Sequence, residues 1–132
     1  MKRTCFALVV GTLLLAGVPL VAHHSFAAEF DANKPVNVTG SVTKIDWMNP
    51  HVWFYLDVKD ETGNIVNWGM EMGSPNGLMR QGWTRNSMKV GDIVSVEGSL
   101  ARDGSKHGNA RAVVLTATGK RLFAASSEGQ TP

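Results

Sequence analysis

Five runs of alternating apolar side chains, glycine-bearing turns between them, and one short break carrying helix-capping residues predict a mainly β domain with a single short helix. The first run covers residues 36–47. Val36, Val38 and Val42 share one phase of a two-residue alternation around Gly40, whereas Ile45 and Trp47 fall in the other. One extra residue near Thr43 and Lys44 reconciles the phases, so the run reads as a long first strand bent at a bulge. Next, "HVWFYLDVKD" puts Val52, Phe54, Leu56 and Val58 on one face and His51, Trp53, Tyr55, Asp57 and Lys59 on the other. That is the pattern of a half-buried strand. "ETGN" is a turn, and "IVNWGMEM" alternates again, with Val66, Trp68, Met70 and Met72 opposite Ile65, Asn67, Gly69 and Glu71. The two runs form a predicted hairpin.

The period then changes. In "GSPNGLMRQGW", Ser74 can cap a helix, Pro75 suits its first turn, Leu78 and Met79 give a short apolar face, and Gly82 can end it. One or two turns fit there. "IVSVEGSL" alternates through Val94, Val96 and Leu100 as a fourth strand, "ARDGSKHGN" is a polar loop, and "ARAVVLTATGKRLFAA" supplies a fifth strand with room for a short return. Three strands, a short helix and two strands is the order of an OB-like, five-stranded Greek-key barrel. Residues 36–125 are the expected domain. Residues 23–35, with Pro35 and no clear period, are expected to be an N-terminal arm, and residues 126–132 a flexible tail.

The first 22 residues have the order of a signal peptide: Lys2 and Arg3, the apolar run from Cys5 to Leu15, then Gly17, Pro19 and Ala22. The run is too short for a membrane span, which needs roughly 20 apolar residues. Cleavage after Ala22 is expected, with His23 as the new N-terminus and a periplasmic or secreted product; a cut after Ala27 or Ala28 is the alternative and discards both His23 and His24. Cleavage also removes Cys5, the single cysteine, so no disulfide or thiol chemistry is expected. Loss of Lys2 and Arg3 leaves as many acidic as basic residues. Without a basic footprint, nucleic acid is not the expected partner.

Two sets of residues carry candidate chemistry. If His23 is the terminus, its amine and ring nitrogen chelate one metal together, and an imidazole from His51 or His107 completes a nitrogen-rich site that favours copper. His24 offers a looser pairing with His23. The competing reading is a pair of solvated histidines beside the processing site. The placement of the arm counts against the copper site: entering the first strand at its start, the 13 residues from 23 to 35 must run back along the barrel, over at most roughly 45 Å, to reach the loops of His51 and His107. The second set is Trp53 and Tyr55, in the polar phase of their strand beside His51, where an OB-fold presents an aromatic ligand platform. Packing under the arm is the alternative. Met70 and Met72 share a face with Trp68 and read as core.

No nucleophile elbow, phosphate loop or helical zinc motif is present. Asp46, Asp57, Glu71 and Glu97 read as solvated strand carboxylates. At "AHHSFAAEFD", "NPHVWFYLDV" and "EMGSPNGLMRQGW" the chain resembles DUF6152, a family of small exported bacterial proteins without an assigned activity, over nearly the whole expected mature chain. The resemblance implies export and one domain, and it brings no catalytic residue or ligand. The expected function is a non-catalytic binding module for a small ligand or an envelope protein, using Trp53, Tyr55, His51 and His107. The alternative is a copper protein or copper oxidoreductase using His23, His24, His51 and His107.

Overall fold

The structure, a computed structural model, describes residues 25–128. The segment read as a signal peptide, His23, His24 and residues 129–132 lie outside the described residues. The elements follow as α1 (Phe26–Glu29), β1 (Phe30–Asp46), β2 (Trp53–Lys59), β3 (Ile65–Glu71), α2 (Pro75–Arg80), β4 (Ile93–Ala101), β5 (His107–Leu115) and β6 (Lys120–Phe123). The strands make one sheet in the order β3-β2-β1-β4-β5-β6, with an additional parallel pairing of β3 to β5. The chain is mainly β. Among the described residues no helix is long and apolar enough to cross a membrane.

β1 organises the sheet because it pairs twice. Its first part runs against β4 from Phe30 opposite Ala101 to Ser41 opposite Ile93, and its last part runs against β2 from Gly40 opposite Val58 to Asp46 opposite Trp53. The register shifts between Val42 and Lys44, at the expected bulge. Inward side chains of Val42, Phe54, Leu56, Met70, Val94, Val96 and Val113 are fully or almost fully buried. Burying each such side chain stabilises the fold by about 1.5–3 kcal/mol, before its ordering cost is subtracted. Met72 and Met88 are also core, while Met48 and Met79 are exposed. Trp83 is buried and its Nε1 donates to the Phe123 carbonyl at 2.9 Å, which ties the segment after α2 to β6. Trp68 packs only partly buried against the same core.

α2 sits between β3 and β4, as its capping residues predict. Ser74 Oγ accepts from the Gly77 N–H at 3.1 Å, Pro75 occupies the first turn, and Leu78 is fully buried. Gly82 follows with φ +91°, a conformation that costs other residues strain. Replacing Ser74 with alanine should remove the cap and lower stability by about 1 kcal/mol, read from urea denaturation.

Three expectations change. The strand count is six, because the return after the turn at residues 116–119 pairs with β5 as β6. The first strand begins at Phe30, so residues 30–35 of the expected arm belong to β1. An irregularity between Asp31 and Pro35 breaks their alternation, which hid the strand from a periodicity argument. The expected tail is fastened at its start: Ser126 and Glu128 are hydrogen-bonded to β4 and β5 side chains.

Candidate functional site

The start of β1, the start of β2, the end of β4 and the start of β5 meet at one end of the sheet, where Phe30, Trp53, Ala101 and His107 line a common groove of about 530 Å³. Register explains the meeting. Trp53 lies opposite Glu71 across β2 and β3, while Gly69 and Glu71 of β3 lie beside His107 and Asn109 of β5. Side chains of paired residues share a face of the sheet. Gly69 makes the seat for His107: a Cβ there would stand 2.6 Å from His107 Cδ2 and 3.2 Å from Tyr55 Cε1. The imidazole therefore lies against the strand backbone, edge to face with Trp53 at 5.9 Å between ring centres. Tyr55 stacks beside Trp53 at 6.5 Å. Ser105 Oγ, 3.0 Å from His107 Nδ1, fixes the ring from the loop side.

The opposite wall is α1. Arg102 pins it through Nε, which donates to the Ala27 carbonyl at 2.7 Å, and through its backbone N–H, which donates to the Glu29 carbonyl at 2.8 Å. Ala28 and Glu29 thus face the groove with Arg102, Asp103 and Ser105. The Ser105 hydroxyl and N–H hold the Asp103 carboxyl below its ordinary range, with His107 adding to the effect. The groove combines one flat aromatic wall with donors, acceptors and charges of both signs.

On the same face, beside the groove, lies a buried polar cluster. Glu71 is only 5% exposed, and Asn109 and Ser99 are fully buried. His51 Nδ1 lies 3.0 Å from Glu71 Oε1, and Asn109 Nδ2 donates to the same oxygen at 3.3 Å. Ser126 Oγ donates to Asn109 Oδ1 at 2.5 Å; Arg111 Nη1 donates to Ser99 Oγ and to Glu128 Oε2, both at 2.9 Å. Burial, and then the negative charge of Glu29, push the Glu71 carboxyl up to about 7, against a smaller downward pull from the Asn109 amide. Loss of water around a carboxylate is the dominant cause.

The structure brings Trp53, Tyr55 and His107 together. It places His51 in a separate depression of about 340 Å³, with Ser74, Arg80, Gln81 and Ser126 on its walls. His23 and His24 lie outside the described residues. Among the described residues, no three His, Cys, Asp or Glu side chains converge to hold a metal. The chain leading into β1 has no need to run back along the sheet, contrary to the sequence-based expectation. Phe30 opens β1 opposite Ala101, and Ala28, Glu29 and Phe30 already line the groove of Trp53 and His107.

Sequence reasoning missed the cluster around Glu71. A glutamate in the polar phase of a strand reads as solvated, whereas in the fold Glu71 is buried with His51 and Asn109 against its carboxyl. The remaining carboxylates are ordinary: Glu97 forms a paired contact with Arg121 at 2.7 and 2.8 Å, Asp46 pairs with Lys44, and Asp57 accepts from Asn67. A family model described as a family of unknown function (DUF6152) matches residues 11–111. No curated protein matches the chain.

Proposed function

Since the chain belongs to DUF6152, a family of unknown function, its activity has to be read from its geometry, and we propose that it is an exported, non-catalytic binding module that holds a small ligand in the groove between α1 and Trp53. The groove with its aromatic wall carries the reading. Its volume falls in the range of small-molecule sites, roughly 300–1,000 Å³, and such sites combine apolar walls with a few placed polar groups. A ligand with a flat apolar face and a polar rim, a sugar ring above all, meets Trp53 with its face and His107, Ser105 and Asp103 with its edge. The β3–β5 pairing supports an OB-like barrel over β1 to β5, a fold whose face binds oligosaccharides as well as oligonucleotides. The expected mature charge balance favours the neutral ligand. The N-terminal segment with the order of a signal peptide supports export to the periplasm.

A panel of oligosaccharides, peptides and nucleotides tested by backbone NMR shifts measures this reading. Saturable shifts should concentrate on Trp53, His107 and residues 101–107. Replacing Trp53 with alanine should weaken binding at least about tenfold, the worth of one stacking contact. Shifts confined to another face, or affinity indifferent to Trp53, would sink the proposal.

A further inference from the structure

Trp53 is not the last aromatic ring on its face of β2. Tyr55 follows two residues on, and the two ring centres stand 6.5 Å apart with only 23° between their planes. Both residues are half-buried, so each ring rests against the protein and keeps part of its surface in solvent. Both are also held in place. A Cβ on Gly69 would lie 3.2 Å from Tyr55 Cε1, which puts the phenol ring against the β3 backbone, and His107, seated on the same glycine, meets Trp53 edge to face.

The polar tips of the pair are unspent. Trp83 gives its indole N–H to the Phe123 carbonyl, whereas among the described residues neither Trp53 Nε1 nor Tyr55 Oη has a hydrogen-bond partner. Trp and Tyr find such a partner where they are shut from water, and where one end stays wet they serve as contact surfaces.

What can lie across both rings is limited by the strand beneath them. β2 is paired on both sides, with Asp46 and Glu71 opposite Trp53 and Lys44 and Gly69 opposite Tyr55. It has no open edge here, so a peptide cannot add to it as a strand, and recognition falls to the side chains. The carboxyl groups of Glu29 and Asp103 at the groove count against a chain of phosphates. A run of sugar rings meets neither obstacle. It stacks by its apolar faces and offers hydroxyls to the indole N–H, to the phenol and to Lys44, whose Nζ lies 5.3 Å from the centre of the Tyr55 ring and 2.7 Å from Asp46 Oδ2.

We propose that the ligand held at Trp53 is a linear oligosaccharide that places a second ring on Tyr55, so that it binds through two adjoining ring positions. Two positions presuppose the sugar groove proposed above and add to it a minimum chain length. The second ring arrives already tethered to the first, so its contact adds affinity without a second association cost.

A length series tests this: glucose and N-acetylglucosamine, each as one, two and three β-1,4-linked rings, titrated into the protein and followed by backbone NMR shifts. Affinity should rise about tenfold from one ring to two, the worth of one stacking contact, with the added shifts at Tyr55 and Lys44. Tyr55→Ala should bring the ratio of two-ring to one-ring affinity close to one, whereas Tyr55→Phe, which keeps the ring, should retain most of the step. Circular dichroism checks that each variant is folded, and the ratio is a readout that a purely structural role for Tyr55 would not move. Trp53-dependent binding that is equal for one ring and two, or a step that survives Tyr55→Ala, would overturn the second position and leave the groove reading standing. Affinity indifferent to Trp53, or no binding at any length, counts against the groove itself and takes the second position with it.

Discussion

Replacing Gly40 with alanine is expected to cost about 3 kcal/mol, at the upper end of what overpacking does to a well-packed fold. Gly40 is one of two β1 residues that pair with both neighbours, Val58 of β2 and Val94 of β4. A Cβ at this position would fall on the Asp57 carbonyl oxygen, with Val58 Cγ2 also at 3.1 Å. The obstruction is backbone, so no rotamer change relieves it. Relief requires β1 and β2 to separate where β1 changes partner. Urea denaturation should show a lower midpoint with an unchanged slope, the mark of lost stability without a change in exposed surface. The exposed neighbour Asn37 should tolerate alanine within about 0.5 kcal/mol. A Gly40→Ala protein as stable as the Asn37 variant would mean that the two strands separate at little cost.

The stability of the protein should also fall as pH rises from about 4.5 to about 7, by about 3 kcal/mol from Glu71 alone. The sign follows from the raised carboxyl. An ordinary glutamate loses its proton near 4.5, whereas the folded protein keeps the Glu71 proton up to about 7. Below 4.5 both states are protonated and the full contribution is present; between the two values only the unfolded chain releases its proton, so unfolding gains with each unit. Each unit is worth about 1.4 kcal/mol. Above about 7 both states are ionised and the curve levels. Glu71→Gln carries no proton to lose, so its stability should exceed that of the parent at pH 8 and lack this slope. Chemical denaturation at half-unit pH steps in the presence of a chelator measures both. Parallel curves for the parent and the Gln variant would show that Glu71 is solvated in solution.

Much of the fold is legible in local pattern, because local pattern is what a hairpin and a capped helix use. The alternation of Val52, Phe54, Leu56 and Val58 places β2, the "ETGN" turn fixes β3 behind it, and Ser74 with Pro75 marks α2 to within a residue. The bulge near Thr43 is legible for the same reason: the phase of the valines changes. The start of β1 escaped because Phe30 is separated from Val36 by five residues that are exposed or only partly buried, with a register break among them. The candidate site divides in the same way. Trp53 and Tyr55 are visible as aromatics in a polar phase. The groove that gives Trp53 a purpose is built by α1 and the end of β4, which sequence spacing does not relate to β2. Glu71 and Asn109 needed the tertiary fold altogether, since their partners come from other parts of the chain: Glu71 meets His51 and Asn109, and Asn109 accepts from Ser126.

The double pairing of β1 also sets the order in which the protein can be assembled. β2 and β3 are joined by a short turn and close early, as hairpins do within about 1–10 μs. β1 can add to that hairpin through Asp46 and Trp53. Its other partner, β4, is some 60 residues further on, and β3 does not meet β5 until Gly69 finds His107. Ordering those long intervening stretches costs chain entropy before any contact repays it, so folding belongs in the millisecond-to-second range of non-local β proteins. During that interval the first half of β1 has no hydrogen-bonding neighbour, and its backbone groups are open to any strand that arrives before β4.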